Sequence, residues 1–289
     1  MYPPRVLCES GRPKRFKSIL VSIYLLELVG AGGITALGGV ACAILRIDWS
    51  RSAPLWFAGY LIVYNADRLY LDPADRLNTP LRTSWAARLR GWRVVLVWLA
   101  AGIVTVWPVL TGRFWLLFPL AAAFGILCFY SRPFPSAGFR LKDLPYLKSL
   151  LAPIVIATVL VLWPVWESGN DLREKVWLVF FWIFLILTIN ALVYDYRDIE
   201  GDRLTGTLTI PVLLGQRRTL GLLMALAATL LVMSITLCRL GLAGPLMPVL
   251  LALGPTILLY SLRCRPHPAL MSLIADMLLF LPAVAEMLR

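Results

Sequence analysis

Two short acidic windows stand out in this chain, one from Asn65 to Asp75 and one from Asp195 to Asp202. They hold seven of the sixteen Asp and Glu residues, and each lies at the end of an apolar stretch. Carboxylates this close together repel one another and are costly to desolvate near a membrane, so something positive must hold them. A divalent cation that faces a negatively charged substrate would do so.

The second window has the more regular spacing. Asp195, Asp198 and Asp202 stand at i, i+3 and i+7, which on a helix places all three within about 60° of arc. Three like charges on one face would destabilise a plain surface helix. Mg²⁺ binds through one or two carboxylates, waters and substrate phosphate oxygens, without His or Cys. The spacing therefore predicts a Mg²⁺ site that faces a phosphate group.

The first window has similar residue types at a less regular spacing. On a regular helix, an arc of about 80° holds four polar side chains: Asn65, Arg68, Asp72 and Asp75. Asp67 lies on the opposite side, but Pro73 disfavours a regular helix, so Asp67 stays a candidate ligand. The run Asp75-Arg-Leu-Asn echoes Asp202-Arg-Leu-Thr at a spacing of 127 residues. This echo predicts two related helical halves around a central cavity that holds the site.

A departing diphosphate needs its developing charge neutralised, and Mg²⁺ with Arg or Lys supplies that. The candidate diphosphate-binding residues lie beside or between the two windows: Asn65, Arg68, Arg82, Lys142, Lys148 and Arg203. An isoprenoid tail on that diphosphate would lie among apolar helices. Loss of diphosphate from an allylic carbon leaves a carbocation, which aromatic faces stabilise.

The elements that position these windows are membrane helices. With 60% hydrophobic residues, 15% charged residues and a mean hydropathy of +0.78, the chain is too apolar for a soluble domain of 289 residues. Runs of roughly 17 to 25 apolar residues, long enough to span a bilayer, begin near nine positions: Ile19, Ala53, Val94, Phe114, Leu147, Lys175, Thr219, Gly244 and Ala269. We therefore predict an all-α, nine-helix membrane domain over 19–289, after a basic cytoplasmic tail over 1–18.

The distribution of basic residues predicts the orientation. With nine spans, 21 of the 28 Lys and Arg residues fall on the side of the N-terminus. This asymmetry predicts that the N-terminus and both acidic windows are cytoplasmic, in a multi-pass protein of the bacterial inner membrane. The net charge of +12 is spread over five segments and also favours contact with anionic lipid rather than nucleic acid. The five cysteines form no CxxC and indicate neither disulfides nor zinc.

These residues resemble the UbiA superfamily of intramembrane prenyltransferases. The stretch from Asp195 to Gly215 contains that family's DxxDxxxD motif and its usual continuation. The stretch from Asp75 to Arg82 resembles the segment that comes after the family's first motif. Tyr130 to Pro133 and Lys142 to Lys148 resemble the loop after the fourth helix, whose basic residues serve the diphosphate. The resemblance implies nine helices, cytoplasmic acidic motifs and a lateral opening to lipid.

The first motif departs from the family pattern NDxxDxxxD. Anchored on Asp75, the pattern requires Asp at Arg68 and Leu71, and anchored on Asn65 it requires Asp at Ala66. The window therefore has the right residue types at a shifted spacing, as in an atypical branch.

We expect Mg²⁺-dependent transfer of a prenyl group from a prenyl diphosphate to a small acceptor in the membrane. The acceptor would be an aromatic compound or another small molecule. Asp195, Asp198 and Asp202 would hold one metal ion. The second metal ion would be held by the first window: Asn65, Asp67, Asp72 and Asp75. A terpene cyclase that acts on the same diphosphate without an acceptor stays open, as does an ion-coupled transporter, which would place acids on a cation pathway. The prenyl chain length, the acceptor and the oligomeric state stay open too.

Overall fold

The computed structural model describes residues 24, 26–69, 88–118, 121, 144–171, 173–264 and 268–289, and within them the regular elements are all helical. The helices are α1 Leu28–Leu45, α2 Ala53–Leu69, α3 Arg90–Leu110, α4 Leu147–Ala157, α5 Trp163–Glu167, α6 Glu174–Arg197, α7 Ile199–Thr205, α8 Ile210–Arg239, α9 Leu246–Cys264, α10 Pro268–Leu278 and α11 Leu281–Met287. A 3₁₀ turn, Phe114–Leu116, follows α3, and a π-helical segment, Thr158–Leu162, joins α4 to α5. The predicted all-α class is confirmed.

Helix α6 lies in the middle of the packed structure and contacts α1, α4, α8 and α10. Its sequence is apolar on every side, as expected of a helix that neighbours surround. Val179, Trp182, Ile183 and Leu192 are fully buried along it. Because α6 carries Asp195 near its end, the second acidic window starts from the best-packed element of the fold.

Helix α1 approaches its neighbours closely through glycine. A Cβ atom built on Gly38 would lie 2.6 Å from a ring carbon of Trp56 in α2 and 2.9 Å from a methyl of Leu160. Only a residue without a side chain allows this approach, which is the usual basis of close helix packing in membranes. The contact brings α2, which carries the start of the first acidic window, against the core.

Helix α3 exposes a large apolar surface. Its large apolar side chains are exposed, with Trp98 and Leu110 each 74% accessible. In water such a surface would be a liability, but in a bilayer it is the expected outer face of a helix.

Five described helical stretches are long and apolar enough to cross a membrane: Leu28–Leu45, Arg90–Leu110, Leu147–Glu167, Glu174–Arg197 and Ile210–Arg239. Most of the remaining predicted spans correspond to shorter or interrupted helices. The predicted fourth span lies mainly outside the described residues. The integral membrane class is confirmed, whereas the count of nine stays a prediction.

Two spans differ most from those expected from hydropathy. Helix α8 begins at Ile210 rather than near Thr219, because Pro211 lies in its first turn and the Thr209 hydroxyl accepts a hydrogen bond from the Val212 amide at 3.4 Å. The helix is interrupted at Gly215, whose φ of 78° and ψ of 166° are not helical. The last predicted span is divided into α10 and α11, with Pro282 in the first turn of α11.

Candidate functional site

The second acidic window lies at the junction of α6 and α7. Asp198 falls between the two helices with φ −94° and ψ 9°. Hydrogen bonds of the helical type continue on both sides of it, from the Asp198 amide to the Tyr194 carbonyl and from the Asp202 amide to the Asp198 carbonyl, each at 3.0 Å. The window is therefore helical except for one residue at its centre.

Asp195 and Asp202 converge on one cation. The ammonium of Lys148, at the start of α4, donates to both carboxylate oxygens of Asp202 at 2.7 and 2.8 Å. The same nitrogen lies 3.9 Å from Oδ1 of Asp195. Asp195 and Asp202 are 5% and 2% exposed, so the arrangement is a nearly dry group of two carboxylates and one ammonium.

The third carboxylate faces a different partner. Asp198 is bound through both oxygens by the guanidinium of Arg197, at 2.7 and 2.6 Å. Arg197 also donates to the Ser272 hydroxyl on α10 and lies over the Tyr194 ring, 5.1 Å from its centroid. Asp198 therefore has an ion-pair partner of its own, whereas a single face shared by all three carboxylates stays a prediction. The backbone leaves regular helical geometry at Asp198, whose carboxylate forms an ion pair with Arg197.

The start of α4 is joined to the start of α8 beside these carboxylates. The Ser149 hydroxyl donates to Oδ2 of Asp195 at 2.5 Å and accepts the amide of Ile210 at 3.2 Å. One turn earlier, the Tyr146 amide donates to the carbonyl of Leu208 at 3.1 Å. Ser149 is fully buried. It was absent from the residues expected from sequence, because a lone serine carries no spacing pattern; its position next to Lys148 was the available signal.

The described part of the first window shows a buried amide and an ion pair. Asn65 is fully buried and donates through Nδ2 to the carbonyls of Leu26 and Leu61, at 3.1 and 3.0 Å. Within the described chain, its Oδ1 has no hydrogen-bond partner. Arg68 lies 2.7 Å from the buried carboxylate of Glu27, and Asp67 is exposed. Of the other expected site residues, Arg203 is exposed on α7, whereas Asp72, Asp75, Arg82 and Lys142 lie outside the described residues.

Two further intramembrane acids pair with neighbouring helices. Glu27 faces Arg68 of α2, and Asp276 of α10 accepts a hydrogen bond from the Tyr194 hydroxyl at 2.5 Å. Both acids are 4% exposed. Contacts between helices thus account for two carboxylates that would otherwise be costly within a bilayer.

The donor set suits Mg²⁺ in kind. Among the described residues, no three His, Cys, Asp or Glu side chains are grouped closely enough to hold a metal ion. Two carboxylates nevertheless share one cation, every donor is oxygen, and Asn65 holds an unsatisfied buried oxygen on the other window. Mg²⁺ requires one or two carboxylates and completes its shell with water and phosphate oxygens. Asp195 and Asp202 meet that requirement.

Comparison with known proteins identifies the family. A sequence profile of the UbiA prenyltransferase family matches residues 35–269, which is most of the chain and includes both acidic windows. The chain belongs to the UbiA prenyltransferase family. Membership agrees with the resemblance carried by the second window and supports prenyl transfer within a membrane.

Two other comparisons add less. A solved structure from a study of digeranylgeranylglyceryl phosphate synthase in membranes aligns with a TM-score of 0.48 and 16% sequence identity, covering 94% of this chain and 100% of that one. A sequence comparison with curated proteins gives no significant match.

Proposed function

We propose that this UbiA-family protein catalyses Mg²⁺-dependent transfer of a prenyl group from a prenyl diphosphate to a small acceptor. Asp195 and Asp202 hold a metal ion at the end of α6 and in α7, with Asp198 beside them. Lys148 is a diphosphate-binding cation at the start of α4. In the first window, Asn65 is the described residue that contributes to a second metal or diphosphate site.

The observation that carries the proposal is the shared cation. The Lys148 ammonium is 2.7 Å from Asp202 and 3.9 Å from Asp195, both of which are nearly dry. Two buried carboxylates in the membrane without a cation would be strongly disfavoured. Asp195 and Asp202 can therefore bind a metal ion, and the N–H groups of the neighbouring Lys148 ammonium can bind an anion such as a diphosphate.

Each group has a part in the transfer. The bond between the allylic carbon and the diphosphate oxygen breaks, and its electron pair leaves with the diphosphate. Mg²⁺, when bound, would neutralise the charge that develops on this leaving group. The Lys148 ammonium donates to the diphosphate oxygens and keeps them next to Asp195 and Asp202. The acceptor then forms the new bond to the allylic carbon and loses a proton.

The unsatisfied oxygen of Asn65 supports a polar site on α2. A buried carbonyl oxygen without a donor costs about 1–3 kcal/mol, so such oxygens are rare and invite a ligand. Its amide is held on two backbone carbonyls, which fixes the direction of the oxygen. We propose that a metal ion or a metal-bound water satisfies it, in a site to which Asp72 and Asp75 of the same window contribute further ligands.

The proposed setting is the cytoplasmic side of a bacterial inner membrane. The lipid-exposed face of α3 and the apolar helices around α6 support the membrane position of the prenyl tail. The excess of basic residues on one side supports the orientation.

The test is turnover by the purified chain in liposomes with Mg²⁺, prenyl diphosphates of several chain lengths and candidate acceptors. Released diphosphate and product mass are measured. Asp202→Asn and Asp198→Ala should each lower the rate of diphosphate release by at least about a hundredfold, as loss of a metal or charge-stabilising group does. Asp171→Asn changes an exposed acid outside the acidic windows and should leave the rate unchanged.

Unchanged release in both variants contradicts the proposal. A product that has lost diphosphate without adding an acceptor would instead identify a terpene cyclase. Mg²⁺-dependent release that also requires an acceptor supports transfer.

A further inference from the structure

The Ser149 hydroxyl is held by two hydrogen bonds beside Asp195, one of the two carboxylates proposed to bind the metal ion. It is fully buried, donates to Oδ2 of Asp195 and accepts the Ile210 amide. A hydroxyl has one donor and two acceptor lone pairs. Because the backbone N–H of Ile210 occupies the acceptor side, the single hydroxyl proton is directed toward Asp195. Rotation of Ser149 or of the Asp195 carboxylate would break one of these buried contacts.

The two oxygens of Asp195 therefore have different roles. Oδ2 is occupied by Ser149 at 2.5 Å, whereas Oδ1 lies 3.9 Å from the Lys148 nitrogen, on the side where the positive charge sits. A carboxylate with one oxygen held in this way presents the other in one direction. Adjacent residues on the first turn of α4 thus act on the same carboxylate, Lys148 by charge and Ser149 by orientation.

We infer that Ser149 is a positioning residue that orients Asp195 so that Oδ1 is the oxygen offered to the bound metal ion. The inference rests on the proposed function, since it needs a metal ion at Asp195 and Asp202. Hydrogen bonds from the shell around a metal site orient its ligands, and losing one costs about ten- to one-hundredfold in metal affinity or activity. Ser149 also ties this orientation to the start of α8 through Ile210.

A purely structural role for Ser149 makes a different prediction. Ser149→Ala would leave the Ile210 amide without its partner, so some loss of thermal stability is expected under either role. Only the positioning role predicts that Ser149→Ala also weakens metal binding. Ser149→Thr keeps a hydroxyl and should restore binding.

Ser234→Ala is the matched control. Ser234 is also fully buried and joins two helices, accepting from Trp182 Nε1 at 3.0 Å and donating to the Leu230 carbonyl at 2.7 Å. Trp182 lies thirteen residues before Asp195 on α6, roughly 20 Å along the helix axis. Ser234→Ala therefore removes a similar buried hydrogen bond far from the acidic window.

The experiment measures Mn²⁺ binding to the purified full-length chain, by the loss of the free-ion signal in electron paramagnetic resonance. Mn²⁺ stands in for Mg²⁺ because both favour octahedral oxygen ligands. Ser149→Ala should bind Mn²⁺ about ten- to one-hundredfold more weakly than wild type. Ser149→Thr and Ser234→Ala should bind close to wild type, and Asp195→Asn should bind weakly.

The outcomes separate the positioning role from the proposed function. Wild-type protein that binds no Mn²⁺ contradicts the proposed metal dependence itself. If wild type binds and Asp195→Asn does not, but Ser149→Ala binds normally, the positioning role is refuted and the proposed function stands. Equal weakening by Ser149→Ala and Ser234→Ala, or failure of Ser149→Thr to restore binding, also refutes it.

Discussion

Replacing Lys148 by Met should destabilise the protein more than replacing either carboxylate that it binds. Met keeps the unbranched stem and removes the charge, which leaves Asp195 and Asp202 facing each other at 5% and 2% exposure. At an effective dielectric constant of about 20, a unit charge at 2.7 Å from Asp202 contributes about 6 kcal/mol before desolvation, and one at 3.9 Å from Asp195 about 4 kcal/mol.

Desolvation offsets most of that attraction. Removing one partner of a buried pair costs about 3–5 kcal/mol. The Lys148 side chain is 26% exposed, so water screens part of the interaction and we expect about 3 kcal/mol for Lys148→Met. Asp202→Asn should cost only about 2 kcal/mol, since Lys148 keeps the nearby charge of Asp195.

The assay is unfolding in detergent, followed by the fluorescence of the eleven tryptophans, with and without Mg²⁺. A divalent cation should restore Lys148→Met, because it replaces the missing charge between the two carboxylates. At a Mg²⁺ concentration about a hundred times its Kd, linkage adds about 2.7 kcal/mol to the free energy of unfolding. The double variant Lys148→Met with Asp202→Asn should gain much less.

Lys175→Met is the control, since Lys175 is exposed at the start of α6. The reasoning is refuted if Lys148→Met is no less stable than Asp202→Asn. It is also refuted if Mg²⁺ stabilises the single and double variants equally.

Two further predictions concern the framework around the site. Tyr194→Phe removes the hydroxyl that donates to Asp276 and should lower the free energy of unfolding, measured by chemical denaturation, by about 1–3 kcal/mol. Tyr196→Phe on the same helix should lower it less. Equal effects of the two variants would contradict a specific hydrogen bond between α6 and α10. Gly215→Ala should lower the free energy of unfolding by about 1–3 kcal/mol. There is room for the added methyl group, but the φ of 78° at this position strains any residue with a side chain. Gly221→Ala, which has room and helical geometry on the same helix, should instead stabilise by about 0.5–1 kcal/mol, and a thermal shift of the same sign in both variants would contradict the role of backbone strain at Gly215.

Much of the architecture follows from local properties of the chain. Long apolar runs predict α6 to within one residue of its observed start and predict α2 and α4 at their first residues. Hydropathy predicts a start of α8 near Thr219 instead of Ile210, because it does not register a capping threonine, a proline in the first turn or a glycine interruption. Turn chemistry and backbone dihedral angles decided that boundary.

For the candidate site, too, some features follow from the local sequence and others do not. The spacing of Asp195, Asp198 and Asp202 predicts a metal site, and the range matched by the family profile includes these residues. A regular helix would have aligned all three carboxylates. In the structure Asp198 lies between two helices and pairs with Arg197, whereas Asp195 and Asp202 share Lys148.

By itself, the sequence determined the class of the protein, the kinds of side chain at the site and their order along the helix, because hydropathy and helical spacing are local. Only the tertiary structure decided which groups share a charge. Lys148 lies 54 residues from Asp202, and Ser149 lies 46 from Asp195 and 61 from Ile210. Those contacts exist because α4 packs against α6 beside the start of α8, and no local pattern in the chain encodes that packing.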